Sequence, residues 1–519
     1  MLRGATGEVQ VIVRARPGMK GALRAHLLHK GTILKDHALI AALTARVPAS
    51  CLSDLEGDAA VDSVSLDAPM TATAAASPQP SAQTAPGAQL VPSLGLPVQG
   101  ATGRGVGVLV IDSGLDTNGD FGAVAFYDLT AAAGHHAYDD FGHGTHVSGL
   151  IASKGALSQT PSGPLYPGIA PKTHLISLKV LDARGTALTS TVIQAIEFAV
   201  RYKKALGVDV INLSLGHPIF EPPQTDPLVR AVEAATQAGI VVVVAAGNVG
   251  QNPTTGAVGY AGVLSPANAE SAITVGALDT RNTVTRRGDA IPPYSSRGPT
   301  WYDARPKPDL VAPGQNLVSD AAPGSTLYLE HPDHLVTLNG SKNTFFRLSG
   351  TSMAAAVTSG VVALVVEASR HADGTSATPR LVKDILSYTA TPLPGYDGLT
   401  QGHGALNAAG AIAVARALSR TAPMTAWWTA LGLPPFTTVA GETWPWAQST
   451  VFPPSLTRGD GVNIPAWAKT IVWGTSRDGD TIVWGTDADG DTIVWGTTAD
   501  WTNAVLWGTA SQGLLPGSQ

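Results

Sequence analysis

Cysteine is almost absent: Cys51 is the single one in 519 residues. One thiol excludes an internal disulfide framework and any cysteine-based metal site, and it reads as an ordinary packing residue. Charge is scarce as well. Only 14% of residues are charged and the net charge is −6, which leaves no footprint for nucleic acid and argues against long charged helices or a coiled coil. No apolar run approaches the roughly 18 residues that span a bilayer; the longest are Ile240 to Ala246 and Val361 to Val366. Met1 to Val13 lacks the apolar core of a signal peptide. The chain is therefore read either as cytoplasmic or as one whose leader lies outside this numbering.

What is present points to a compact, loop-rich protein of the secreted type: 44% hydrophobic residues, 57 Gly and 37 Pro. The length implies about two to four domains. Residues 1–70 form a small unit. Val9 to Arg14 reads as a strand with Val11 and Val13 on one face, and Leu23, Leu27 and Leu28 fall at helical spacing. Thr32 to Lys35 and Ile40 to Val47 read as strands, Pro48 to Leu55 as a short helix, and Val61 to Leu66 as a last strand. This β-α-β-β-α-β order is ferredoxin-like. Residues 71–89 are a linker, because Thr71 to Gly87 is rich in Ala, Pro, Ser, Thr and Gln and cannot bury itself.

Residues 90–415 alternate strands with helices. Strands are expected at Gly105–Ile111, Leu175–Leu181, Val208–Leu215, Gly239–Ala246 and Ala272–Gly276. Helices are expected from His143, over Thr189–Arg201 and over Pro227–Gln237. The pattern implies an α/β fold, a parallel β-sheet with helices on both faces, with function gathered at the C-terminal strand ends. Residues 416–465 are irregular and proline-rich. Residues 466–519 carry a repeat: Thr470 to Thr475 recurs at Thr481 to Thr486 and Thr492 to Thr497, with a degenerate copy at Ala504 to Thr509. The acidic turns between copies fail as calcium loops, since Thr492 stands where Gly is needed and no Glu closes them. A stack of short strands with a shared tryptophan core is the expected form.

Four short stretches carry candidate chemistry. Ser352, after Gly350, opens the apolar run Ala354 to Val366, which reads as a buried helix. A serine in that first turn has a free-standing hydroxyl and a backbone N–H at the positive helix end, as a nucleophile needs; it is equally what a helix cap looks like. Asp112 ends an apolar strand, where a simple turn is the plainer reading. His143 and His146 are one residue short of the His-Glu-x-x-His spacing and lack its Glu, so zinc is not favoured; the glycines flanking His143 allow close backbone approach instead. Asn248 follows the run Ile240 to Ala246 at the same sheet edge and, taken singly, is a turn residue.

Together, the order Asp, His, amide, Ser is one of the chain orders of a catalytic triad. Over about 90–415 the sequence resembles the subtilisin-like serine peptidases. The matching segments are Val110–Gly114, His143–Gly149, Gly168–Pro171, Asn212–Gly216, Ala245–Asn248, Tyr294–Gly298, Lys307–Gly314 and Gly350–Ala354. The resemblance implies a serine endopeptidase in which Asp112 orients His143, His143 is the general base and Ser352 the nucleophile. Asn248 would supply the side-chain oxyanion donor beside the Ser352 N–H. Ser214, Leu215 and Gly216 would pair with substrate backbone, Gly185 would form the opposite edge, and Gly247 would adjoin it. An esterase of the same fold, or an inactive binding relative, is the alternative. No cofactor is implied for the chemistry; metal ligands and a structural calcium stay open. Residues 1–70 resemble the inhibitor-like propeptide of the same family. The implied partners are protein or peptide substrates and the chain's own propeptide, its tail Leu66 to Met70 filling the cleft, with an extracellular or cell-surface location. The sequence departs from the family pattern at Ala356-Val357-Thr358-Ser359 and at His217-Pro218, which touches helix packing and the outer subsites.

Overall fold

The computed structural model describes residues 7–72, 88–130, 136–338, 344–373, 376–418 and 432–448, together with three short strands between 473 and 496. The N-terminal unit runs β1 (Glu8–Ala15), α1 (Lys20–Lys30), β2 (Thr32–His37), β3 (Ala42–Pro48), α2 (Leu52–Glu56), β4 (Val61–Leu66) and β5 (Pro69–Ala72). The large domain contains β6 (Gly107–Asp112), β7 (Ala125–Asp128), α3 (His143–Ala152), β8 (His174–Lys179), β9 (Thr186–Leu188), α4 (Thr189–Leu206), β10 (Val208–Leu213), β11 (Leu215–Gly216), α5 (Pro227–Gln237), β12 (Val241–Ala245), β13 (Ile273–Leu278), β14 (Leu310–Pro313), α6 (Thr351–Asp373) and α7 (Ala408–Ala417).

Seven strands form one parallel sheet in the order β14-β13-β12-β10-β6-β8-β7. Each inner strand is buried on both faces, so it reads as a continuous apolar run, and its alternate residues enter two different cores. Val108 and Val110 of β6 pack with α3, α6 and α7, whereas Leu109 and Ile111 pack with α4 and α5. β7 and β14 escape sequence reading, being four residues long and flanked by loops. α6 is the one helix among the described residues long and apolar enough to cross a membrane, although no unbroken run in it is long. Its apolar stretch, Thr351–Arg370, lies wholly inside the core.

In the N-terminal unit the four antiparallel strands stand in the order β2-β3-β1-β4, as the ferredoxin-like pattern requires. Val11 and Val13 join Leu23, Leu27, Leu43 and Leu55 in the unit's own core. Leu28 faces solvent at 62% exposure, one residue off that stripe. Ile12, Ile40 and Ala42 belong to the core under α4 and α5 of the large domain. The outer face of the small sheet is thus covered by these two helices. Lys35 Nζ bonds Thr191 Oγ1 at 2.7 Å, and Glu197 accepts the Leu39 N–H at 2.6 Å.

Two boundaries differ from expectation. Thr71 and Ala72, assigned to the linker by composition, belong to β5; they are ordered by pairing with another segment, which composition cannot register. The rest of the expected linker, 73–87, lies outside the described residues. Within the region expected to be irregular, Phe436–Val439 and Glu442–Pro445 form an antiparallel hairpin, β15 and β16. Ala440 (φ 48°) and Gly441 (φ 81°) make its two-residue turn, the primed type that matches strand twist. Trp446 lies in the main core against Tyr388, with its Nε1 donating to Thr437 Oγ1 at 2.8 Å. Three repeat copies form short antiparallel strands at Trp473–Thr475, Thr481–Thr486 and Thr492–Gly496. The tryptophan core and the fourth copy lie outside the described residues.

Trp446→Ala, made in an inactivated background to avoid autolysis, should lower stability by about 3–5 kcal/mol; a loss near zero in denaturant titration would show the hairpin to be an appendage. A second expectation concerns Glu221, near the edge of the docked unit. Burial, then the neighbouring Asp226 charge, raise its pKa from 4.5 to about 7, opposed by the nearby Ser65 and Thr225 hydroxyls and by Arg14. A raised carboxyl favours the folded form when protonated. That contribution is fully present below about 4.5, declines as pH rises, and is gone above about 7. Glu221→Gln should therefore flatten the fall in stability across this window relative to the parent; parallel pH curves for the two proteins would rule the linkage out.

Candidate active site

Asp112 ends β6 at the carboxyl edge of the sheet and is 1% exposed. Its Oδ1 accepts the Ser113 N–H at 2.7 Å and meets His143 Nδ1 at 2.8 Å, with Oδ2 at 3.0 Å from the same nitrogen. A carboxylate only accepts, so Nδ1 carries the proton and Nε2 of the neutral ring is left as the acceptor. Nε2 is buried and has no hydrogen-bond partner.

His143 is the first residue of α3. The close approach expected of its flanking glycines is present: a Cβ on Gly144 would lie 2.3 Å from the Gly114 carbonyl oxygen, and one on Gly142 (φ 101°) would lie 2.4 Å from Ser325 Oγ. Asp139 secures this helix start. Its carboxylate accepts from the Gly142 and Thr145 N–H groups and from the Thr145 and Ser113 hydroxyls, all within 2.7–2.8 Å. Ser113 Oγ in turn accepts the Gly144 N–H. His146 takes no part: burial pushes its pKa down to about 3, and its Nε2 bonds the Leu317 carbonyl at 3.1 Å. Among the described residues no group of three or more His, Cys, Asp or Glu could hold a metal ion.

Ser352 lies in the first turn of α6. Its Oγ donates to the Ser214 carbonyl at 3.0 Å, and Ser214 Oγ donates back to the Ser352 carbonyl at 3.1 Å. The bond from Ser352 to His143 Nε2 is therefore not formed in this state. α3 and α6 pack together, so both helix starts open on the same edge. Asn248, after β12, accepts from the Thr351 N–H at 3.0 Å and the Thr351 hydroxyl at 3.1 Å through Oδ1. That fixes the amide with its NH2 group as the opposite end. Ser359, one of the residues that depart from the family pattern, bonds Asn212 Oδ1 at 2.9 Å, and Asn212 holds Ser214 Oγ.

The cleft beside these groups is filled by the chain itself. β5 lies between β9 and β11, antiparallel to both, with Thr71 opposite Thr186 and Gly216, and Ala72 opposite Leu215. The Ala72 N–H donates to the Gly185 carbonyl at 3.1 Å. A Cβ on Gly185 (φ 71°) would strike the Phe141 ring at 2.4 Å, and one on Gly247 (φ 112°) would strike Leu264 at 2.7 Å, so both edges need glycine. Met70 is completely buried. The segment in the cleft is thus Pro69–Ala72 and not Leu66–Met70, because Leu66 remains paired with Val11 inside the N-terminal sheet.

Two contributors were not singled out from sequence. Asp139 carries a weak signal, an acid three residues before Gly142. Lys179 carries none. It lies opposite Asp112 on β8, 1% exposed, and its Nζ bonds the Ser113 and Leu181 carbonyls and the Asp140 carboxylate.

Comparison with known proteins identifies the family. Residues 103–411 match the Subtilase family. The chain is 38% identical over 317 residues to serine protease AprX of Bacillus subtilis, covering 60% of this chain and 66% of that protein. It is 35% identical over 296 residues to subtilisin of Bacillus pumilus, covering 57% of this chain and 87% of the relative. Among solved structures, fervidolysin of Fervidobacterium pennivorans superposes with a TM-score of 0.60 at 20% identity, over 79% of this chain and 61% of that one. The chain belongs to the subtilase family, and its subtilisin-like α/β domain is that of a serine endopeptidase.

Proposed function

We propose that Asp112, His143 and Ser352 form the catalytic triad of this endopeptidase, and that the chain's own N-terminal unit is its first substrate and then its inhibitor. Rotation of the Ser352 hydroxyl away from Ser214 brings its proton to His143 Nε2, the acceptor left open by the Asp112 bond. Ser352 Oγ then attacks the peptide carbonyl as Nε2 takes the proton. The oxyanion is met by the Asn248 NH2 group and the Ser352 N–H. Collapse breaks the C–N bond, with the proton passing from Nε2 to the leaving amine. Water repeats the sequence on the acyl-enzyme. Groups of the chain itself carry every step, so no cofactor is needed. Asp139 holds the Gly142 and Thr145 N–H groups on either side of His143, and Lys179 holds the carbonyl of Ser113, next to Asp112.

The observation that carries the reading is β5 between β9 and β11. Backbone pairing on both sides is how an extended peptide is held. Ala72 is paired with Leu215, and the carbonyl of the adjoining Ser214 touches Ser352 Oγ, so the bond to be cut is taken to follow the next residue of the chain. The bond cleaved is therefore Thr73–Ala74, and residues up to Thr73 form the propeptide. The 416–465 segment then belongs in part to the catalytic domain, and 466–519 remains a separate repeat region. An extracellular or cell-surface site of action is part of the proposal, supported by the low charge and the loop-rich composition. The esterase alternative leaves the two-sided backbone pairing without a purpose.

Ser352→Ala should abolish turnover, keep the fold and leave the chain uncut. The unmodified protein should release a new N-terminus at Ala74, at a rate independent of concentration over a hundredfold range, because a tethered substrate has a fixed effective concentration. A rate proportional to concentration would remove self-processing. Asn248→Ala should lower kcat by roughly 10²–10³ with little change in KM, a size carried over from subtilisin itself and not calculated from these distances. A change confined to KM would take Asn248 out of the oxyanion site.

A further inference from the structure

The first turn of α4 has no acceptor of its own. Leu188 precedes it and cannot cap, and the turn contains no acidic residue. The neighbouring α5, by contrast, is capped from within, Asp226 accepting the Leu228 and Val229 N–H groups. The donors of α4 are met by the segment that runs into the cleft. The Asp67 carboxylate accepts the Ser190 N–H at 2.8 Å, and the Ala68 carbonyl accepts the N–H and the hydroxyl of Thr189, each at 2.9 Å. Asp67 is 4% exposed and Ser190 is completely buried. Ser190 Oγ, at the same helix end, is buried without a hydrogen-bond partner. The other Asp67 oxygen is held by Gln10 of the N-terminal unit. The large domain thus carries two backbone donors, a bonded hydroxyl and an unused one at the positive end of an 18-residue helix, and one of them, the Ser190 N–H, already holds a carboxylate.

We propose that this helix start is a substrate subsite for a carboxylate side chain: with the N-terminal unit gone, it binds an acidic residue seven positions upstream of the bond to be cut. The count rests on the cut proposed above, after Thr73, which makes Asp67 the seventh residue upstream. A protein substrate lying between β9 and β11 as residues 69–72 do carries its sixth and seventh residues past Thr189 and Ser190. The helix dipole and the charge-assisted bonds favour Asp or Glu there and oppose Lys. The eighth position differs. Leu66 lines a small cavity with Thr189, His217, Phe220, Glu221 and Asp226, and the two carboxylates there disfavour another acid. The preference is confined to one position, and it would make acidic-flanked sites the better substrates.

The test uses enzyme freed of its N-terminal unit and internally quenched peptides that differ only at the seventh upstream residue: Asp, Asn or Lys. A fourth peptide moves the Asp to the eighth position, and a short peptide stops at the fifth. Mass spectrometry confirms the cut bond in each. The expected order of kcat/KM is Asp, Asn, Lys, with Asp about three- to tenfold above Asn, expressed mainly in KM because the contact is remote from the reacting bond. In a Ser190→Asp enzyme the ratio of Asp to Lys peptides should invert. Equal rates for Asp, Asn and Lys in the unmodified enzyme, or the same gain from the eighth position, would overturn the subsite, whether or not the variant folds. Turnover of the short peptide reads out the peptidase reaction separately, so loss of the subsite and loss of the peptidase reading give different results.

Discussion

The burial of α6 is the constraint from which the site follows. The helix is buried on all sides from Met353 to Val366 and packs across the sheet under β6, β10, β12 and β13. A helix so placed presents its first turn only at the carboxyl edge of the strands. Ser352 is therefore brought to the edge where Asp112 ends β6 and Asn248 follows β12. Helix dipole, first-turn N–H groups and strand ends coincide there for reasons of packing, and the proposed chemistry uses the coincidence.

Around that edge the supporting bonds divide by task. Asp139 ties Gly142, Thr145 and Ser113 together, so α3 starts at a fixed height above Asp112. Thr351 and Gly247 bind each other while Thr351 also holds Asn248, so the start of α6 and the loop after β12 are joined through one threonine. Ser214 is bonded to Ser352 in both directions. The ties through Ser113, Thr351 and Ser214 join elements far apart in the chain, so a shift at any one of them is felt at the candidate site.

The N-terminal unit enters this scheme as a missing part of the surface. Its sheet covers α4 and α5, its tail completes the three-stranded ribbon, and its Asp67 supplies the cap that α4 lacks. Docking buries apolar side chains and satisfies backbone donors at once, which explains why so short a segment as Pro69–Ala72 is ordered beside a linker that composition marks as unable to bury itself.

Much was readable from sequence because it is local. Apolar runs ending in Asp112 or Asn248, glycines around His143, and the strand and helix periods of the first 66 residues all lie within short windows. A one-residue alternation even separated Val11 and Val13 from Ile12. The sequence likewise determined that a serine would open a buried helix. Only the tertiary structure decided which partners those residues meet. Asp67 and Ser190 are 123 residues apart, Lys179 looks like the end of an ordinary strand, and the Ala440-Gly441 turn lacks the Asn-Gly signal of its type. In the first two cases the deciding interaction is a bond or a packing contact closed across a long loop. Local pattern carries no information about such a contact, because its free energy exists only once the two segments have been brought together.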